Sequence, residues 1–314
     1  MYYYSVTQWI LLFFLYAFIG WIWECAYVST IQAWKKKTWR FINRGFLHGP
    51  VIPIYGFAAI AILWATIGVR ESRCAIFVLG ALTATLFELV TGTAMEKLFK
   101  VKYWDYSNIP LNYKGHICFF VSLFWGFFSV LLVQGIHVPV ERILLCMVPT
   151  VSEVIGSVLL VLFTYDLSVS VREAMDLREI LDTLAENNEM IRHLERRFDA
   201  IVAFTPIPDI DELRSIHKNA KEHIVYKVER LHQMNEEHIN KIKEYISLPE
   251  FEELPDRAEL LRKLEHYRGR IREISHRQFV SALRQLRRNP DVKSEHYQNI
   301  IEQLNEWIRD KRKE

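Results

Sequence analysis

Three carboxylates, Glu24, Glu88 and Glu153, lie inside stretches of sequence otherwise composed for hydrocarbon. An ionised side chain at such a depth costs about 3 kcal/mol on insertion scales, so it is expected to face a bundle interior or a wet cavity. There it could hold a proton, a cation or the donor of a polar solute. In the third apolar run Gly80, Ala84, Glu88, Gly92 and Glu96 recur every fourth residue. That spacing puts small residues and both carboxylates on one stripe, and small residues let helices approach closely in lipid. Gly20 with Glu24, and Ser152 and Gly156 with Glu153, repeat the device. All three glutamates are therefore expected to point inward, either as functional groups or as hydrogen-bonded struts between helices.

Two loops carry further groups with chemistry. INRGFLHGPVIPIYG (42–56) places Asn43, Arg44, His48 and Tyr55 among Gly45, Gly49, Pro50, Pro53 and Gly56. KYWDYSNIPLNYKGH (102–116) places Asp105, Asn112 and His116 beside Gly115. Irregular backbone near membrane depth is tolerated only where it is buried in protein or lines a polar cavity. The two loops are thus expected to fold back as lids over one cavity, with Arg44 as its cation and Glu24, Glu88 and Asp105 as its acids. Asn43, His48, Tyr55, Asn112 and His116 complete the candidate substrate-binding set. Gly45, Gly49, Pro50, Pro53, Gly56, Gly92 and Gly115 are candidate structural positions. The alternative has Arg44 as an anchor at the membrane border and the prolines as ordinary helix starts.

The elements that must position these groups are helices. A hydrocarbon core about 30 Å thick needs about 20 apolar residues. Five runs qualify, at approximately 7–33, 51–69, 74–98, 116–137 and 143–165. The fold expected is all-α, a five-span bundle over residues 1–166 followed by a helical domain over 167–314. Lys35, Lys36, Lys37, Arg40 and Arg44 crowd the first loop, and Lys97, Lys100, Lys102 and Lys114 the third. The second has only Arg70 and Arg73, and the fourth only Arg142. The bias of basic residues to cytoplasmic loops then puts the N-terminus outside and the C-terminal domain in the cytoplasm. Tyr2, Tyr3, Tyr4 and Trp9 would anchor the outer surface, and Trp34 and Trp39 the inner. The start of the chain lacks the basic region and cleavage site of a signal peptide. The 4 cysteines, Cys25, Cys74, Cys118 and Cys146, sit in apolar runs without CxxC pairing and read as small buried hydrophobes.

The second half is charge-dense. Leu177, Leu181, Leu184, Asn188, Ile191, Glu195, Phe198 and Val202 alternate spacings of four and three, the seam of a coiled coil or antiparallel bundle. FTPIPDIDEL (204–213) interrupts it, a second helical run follows through Ile246, and a third covers about 256–288. RRNPD (287–291) separates that run from a terminal helix containing Ile300, Ile301, Leu304 and Trp307. The strongly basic run 257–288 would meet anionic lipid or be a solvated face balanced by acidic neighbours. The histidines of this half lack metal-ligand spacing, so neither a metal nor another cofactor is expected.

IGWIWE (19–24), NRGFLHGPVIPIYG (43–56), FELVTG (87–92), YWDYS (103–107) and Asn112-x-x-Gly115 occur in an order and spacing that resemble a bacterial family of multi-span membrane proteins. Its label is "putative ABC-transporter type IV". The resemblance covers about residues 10–160. It implies a multipass plasma-membrane protein with permease-like transport, in which Glu24, Asn43, Arg44, Gly49, Pro50, Pro53, Gly56, Glu88, Asp105 and Asn112 occupy the motif positions. The chain has no GxxxxGK[ST] phosphate loop, so ATP-driven work would need a separate ATPase subunit.

Three functions compete. A permease-like subunit would use Glu24, Glu88 and Arg44 along a substrate or ion path. A membrane-embedded enzyme would act on a lipid-linked or phosphate-bearing substrate, with Asp105, His48 or His116 as acid or base and Arg44 on a phosphate. A scaffold would act through its helical tail. Three intramembrane glutamates exceed what an anchor needs, and no compact nucleophile-base motif is legible, which favours transport. Besides the bilayer, the partners expected are an ATPase subunit and a second copy or another protein on the cytoplasmic helices; nucleic acid is not expected.

Overall fold

A computed structural model describes residues 4–36, 41–202, 262 and 276–310. Tyr2, Tyr3, Lys37, Trp39, Arg40, the break at 204–213, the second helical run and the part of the basic run 257–288 before residue 276, apart from Arg262, lie outside the described residues, as do the side chains of the seam from Asn188 to Val202. The described chain is mostly helical: α1 (Val6–Lys36), α2 (Pro53–Ala65), α3 (Arg73–Phe99), α4 (Phe119–Val130), α5 (His137–Cys146), α6 (Pro149–Val202), α7 (His276–Arg288) and α8 (Gln298–Asp310). A two-residue antiparallel pair, β1 (Asn112–Tyr113) with β2 (Ile117–Cys118), closes the loop before α4. Among the described residues four helical stretches are long and apolar enough to cross a membrane: Val6–Ile31, Arg73–Phe99, Phe119–Cys146 and Pro149–Ala185.

The chain divides into two compact units. The first is Met1–Ala174 with Arg288–Lys293, and the second is Met175–Arg287 with Ser294–Glu314. In the first, α1 packs on α2, α2 on α3 and α3 on α4. Its apolar centre includes Leu12, Tyr16, Ile62, Leu63, Ile76 and Leu132, while Phe57, Leu82, Leu86, Phe127 and Val161 face outward. Such an apolar exterior is costly in water and natural in lipid. The stripe of α3 is buried as its spacing requires: Gly80 meets Ser129, Gly92 meets His116 and Trp104, and Glu88 is 6% exposed.

Several elements depart from the expected runs. The second run forms a helix of only 13 residues, α2, followed by a 3-10 turn at Ile67–Val69. The fourth and fifth runs do not break around Arg142, because α5 continues to Cys146. The turn falls at Met147 and Val148, before Pro149, where the residue preceding a proline disfavours helical geometry. Between α4 and α5 lies a π-helical segment, Leu131–Ile136. Pro139 follows it, and a proline removes one helical donor and crowds the carbonyl four residues earlier, which a wider turn relieves. Glu153 is exposed, although Ser152 is buried and Gly156 packs on Thr7 of α1. Its expected inward orientation is corrected: one residue of helix rotates a side chain by about 100°, which carries it off the stripe. Cys74 and Cys146 are likewise exposed, and only Cys25 and Cys118 are buried.

In the second unit each described helix buries a helically spaced apolar set: Leu177, Ile180 and Leu181 on α6, Phe279, Leu283 and Leu286 on α7, and Ile300, Ile301 and Leu304 on α8. Tyr297 donates a hydrogen bond to Asp182 within this unit.

Candidate functional site

The loop after α1 returns along the helix it has just left. Ile42 N donates to Ser29 Oγ at 3.1 Å, Arg44 N to Cys25 Sγ at 3.3 Å, Trp21 Nε1 to Asn43 Oδ1 at 2.8 Å, and Ile52 N to Ala17 O at 3.2 Å. Ala17, Trp21, Cys25 and Ser29 are four residues apart, so one face of α1 serves as a rail. From Ser29 back to Ala17 is about 18 Å of helix. The prolines and glycines of 42–56 thus belong to an extended segment whose donors need partners. Gly45 takes a φ of 141°, a region that favours glycine. Because α2 begins level with Ala17, it has only part of the bundle left to traverse. That accounts for its shortness.

This return brings Arg44 to Glu24. Arg44 Nε lies 3.1 Å from Glu24 Oε1, its Nη2 donates to Tyr103 O at 3.3 Å, and its Nη1 to Asp291 Oδ2 at 2.8 Å. Tyr55 Oη donates to the second Glu24 oxygen at 2.7 Å. Gly20 makes room for this: a Cβ there would overlap the Tyr55 ring. Glu24, Arg44 and Tyr55 therefore form one connected network of three predicted residues. Asn43 braces the loop, donating from Nδ2 to His48 O at 3.2 Å.

The loop between α3 and α4 supplies the other side. Asp105 Oδ1 accepts from Ser107 N at 3.1 Å and from Ser107 Oγ at 2.5 Å, while its Oδ2 accepts from Lys293 Nζ at 2.7 Å. Burial acts to raise the pKa of Asp105, but the bonds from Lys293 and Ser107 outweigh it and hold the carboxyl below its ordinary range. Asn112 Nδ2 donates to Ile109 O at 2.7 Å, and Asn112 Oδ1 accepts from Gly115 N at 3.1 Å, so Asn112 shapes the loop. Gly115 has a φ of 73°, and a Cβ there would strike Asp105. His116 pairs with Glu96 at 3.0 Å, and Lys102 approaches the same carboxylate at 3.5 Å.

Tyr106 reaches Glu88. Its hydroxyl donates to Glu88 Oε1 at 2.8 Å. Burial first, then the charge of Glu88 and this bond, push the Tyr106 hydroxyl well above its ordinary pKa, so it remains a donor. Trp125 lies close to the same carboxylate, but Glu88 Oε2 has no hydrogen-bond partner of acceptable geometry among the described residues.

His48 stands in a separate cluster on α6. Its Nδ1 is 3.1 Å from Asp166 Oδ1 and from Ser170 Oγ, and its Nε2 is 3.3 Å from Glu173 Oε2. Gly49 N donates to Asp166 Oδ2 at 2.7 Å. Asp166 thus receives the loop's amides, a partner that its place at the end of an apolar run could have suggested. Ser170 is fully buried.

The segment Arg288–Lys293 is threaded into this same unit. Arg288 pairs with Glu173 at 2.6 Å, and Asn289 Nδ2 donates to Gly45 O at 3.1 Å. Backbone bonds of 2.7 and 3.0 Å join Lys293 to Lys102. Nothing in the local sequence signals such a long-range insertion. A second polar cluster also escaped the sequence pattern, where Tyr4 and Tyr16 meet the start of α5. Tyr16 Oη lies 2.6 Å from His137 Nδ1, and Tyr4 Oη lies 3.1 Å from His137 Nε2 and donates to Glu141 Oε1 at 2.5 Å. Tyr4 is therefore part of a hydrogen-bonded chain and does more than anchor an interface.

A family model described as "Putative ABC-transporter type IV" matches residues 11–171. The chain belongs to that family. The matched region contains Glu24, Arg44, Tyr55, Glu88, Asp105, Tyr106 and Asp166, and it ends before Glu173 and the Arg288–Lys293 segment. With four membrane-capable helices, family membership makes this a membrane protein. No curated protein and no solved structure matches the chain.

Proposed function

We propose that the chain is the membrane subunit of a transport system, with a polar path whose mouth is ringed by Glu24, Arg44, Tyr55 and Asp105. Glu88 lies deeper, beneath Tyr106. Asn43, Asn112, Gly45, Gly49, Pro50, Pro53, Gly56, Gly92 and Gly115 hold the two loops, and His48 and His116 tie them to neighbouring helices. The observation that carries this reading is the Glu88 carboxylate, buried among apolar helices with one oxygen lacking a hydrogen-bond partner. Keeping such a group has a large desolvation cost unless it binds a proton, a cation or a solute donor.

In this reading α2 and the returning loop together make the second of five membrane segments over residues 1–166, and residues 167–314 form a cytoplasmic helical domain with coiled-coil character. The bias of basic residues to cytoplasmic loops supports a loop end on the cytoplasmic side of a bacterial plasma membrane, with the N-terminus outside. A separate ATPase subunit supplies the energy, and the tail offers the surface for it or for a second copy. The enzyme alternative is weaker, because Ser170, whose hydroxyl is within hydrogen-bond distance of His48, is fully buried and bonds Asp166 on its own helix.

The test is mass spectrometry of the protein purified in mild detergent from its native membrane. A stoichiometric ATPase in the preparation is the expected result. A retained lipid-linked phosphate compound with no ATPase would replace the transport reading by the enzyme one.

A further inference from the structure

We infer that Arg44 and Asp105 form a binding site for a zwitterionic ligand, which places an anionic group on the guanidinium and an ammonium on the carboxylate. Asp291 and Lys293 occupy this site as an internal surrogate. The inference rests on the reading of this mouth as the place where solute is received, and it names the class of solute.

The two sides of each ion pair are unlike. The side chains of Arg44 and Asp105 are 14% and 11% exposed, whereas those of Asp291 and Lys293 are 60% and 42% exposed. A largely buried charge must be paired, while an exposed partner loses little by leaving, because water solvates it. The buried members are therefore the permanent receptor, and the exchangeable guests are the two exposed side chains alone, since the backbone of Lys293 stays paired with Lys102.

The receptor also keeps its geometry without the guests. Arg44 retains Glu24 on Nε and Tyr103 O on Nη2, which frees Nη1 alone. Asp105 retains both bonds from Ser107 on Oδ1, which frees Oδ2 alone. Each side thus presents one unfilled direction on a group already oriented by others, the condition for binding without an ordering cost. A guanidinium suits carboxylate or phosphate, and a carboxylate suits a primary ammonium. The guests follow the same pattern, one charge of each sign on nearby residues. Arg44 and Asp105 lie within the family-matched region 11–171, and Asp291 and Lys293 lie outside it. The receptor is thus part of the family's domain, and the guest is supplied by another part of this chain.

The same chemistry is offered by a soluble zwitterion and by an aminophospholipid headgroup. The experiment compares the full-length protein with D291N/K293Q, alone and combined with R44Q or D105N. Soluble probes are phosphoethanolamine and glycine, with inorganic phosphate and ethanolamine as single-charge controls, measured by calorimetry in detergent. The lipid arm uses nanodiscs of phosphatidylethanolamine or phosphatidylglycerol, with lipid retention read by native mass spectrometry.

D291N/K293Q is expected to bind at least one zwitterion about tenfold tighter than the unmodified chain, the scale of releasing two ion pairs that each have one exposed member. Adding R44Q or D105N should remove that gain; if one of them fails to fold, the other reports. Binding of a soluble zwitterion identifies a solute, and selective retention of phosphatidylethanolamine identifies a headgroup. The inference is overturned if neither source gains in D291N/K293Q, or if inorganic phosphate binds as tightly as phosphoethanolamine. An ATPase without zwitterion binding sinks this inference alone, and binding without an ATPase sinks the transport reading alone.

Discussion

Arg44 Nε lies 3.1 Å from Glu24 Oε1, which joins the returning loop to the helix it runs along. Both groups are more than half buried, and Tyr55 closes the pair from α2. The relationship links three segments through one carboxylate, so its removal should be felt well beyond a single contact.

Replacing either partner, Arg44→Gln or Glu24→Gln, is expected to destabilise the protein by about 1–3 kcal/mol, because the remaining charge is left partly buried. The double variant should recover part of that loss. Thermal unfolding in detergent of all four proteins gives the coupling. Additive losses would mean that the two groups do not act as a pair.

Tyr106→Phe removes the donor to Glu88 and should cost about 1–3 kcal/mol, since both oxygens of a buried carboxylate are then unsatisfied. Adding Glu88→Gln to it should restore stability, as a neutral amide is cheaper to leave in an apolar site. Stability unchanged by Tyr106→Phe would show that the hydroxyl is dispensable.

Gly115→Ala combines a positive φ with a Cβ directed at Asp105. A loss of more than about 1 kcal/mol is expected. Gly68→Ala, where a Cβ meets nothing within 4 Å, should be close to neutral and serves as the control. Equal effects at the two positions would remove the case for a strained, closely packed loop.

Asp105 also sets a pH dependence. Its carboxyl is held below the ordinary value of 3.8 by Lys293 and Ser107 in spite of burial. Its ionised form is thus favoured by folding, and the stability it adds is complete above that ordinary value. The contribution is lost as pH falls through the lower, folded value. Between pH 6 and pH 3 the unfolding midpoint of the unmodified protein should therefore fall more steeply than that of Asp105→Asn. Parallel curves would exclude Asp105 as a contributor.

Much of the helical frame was legible because its signals are local. Glu88 is buried because Gly80, Ala84 and Gly92 share its helical face, and the period of the helix alone predicts that. The same rule failed for Glu153, which lies next to Ser152 in sequence but is exposed, because spacing does not say where a packing face ends. His137 escaped notice for a related reason. A histidine in an apolar run acquires meaning only when Tyr16 of α1 and Tyr4, just before it, arrive from far away in the sequence.

The amino-acid sequence by itself determined the apolar runs, the buried stripe of α3 and the irregular character of the two loops, since transfer free energy and backbone restriction act residue by residue. Only the tertiary structure decided that residues 42–52 run back along α1, that α2 is shortened as a result, and that Arg288–Lys293 joins Arg44 and Asp105. Those outcomes depend on which donors and charges find partners across long stretches of chain. Hydrogen-bond satisfaction and charge pairing are settled in space, where neighbours in sequence carry no privilege.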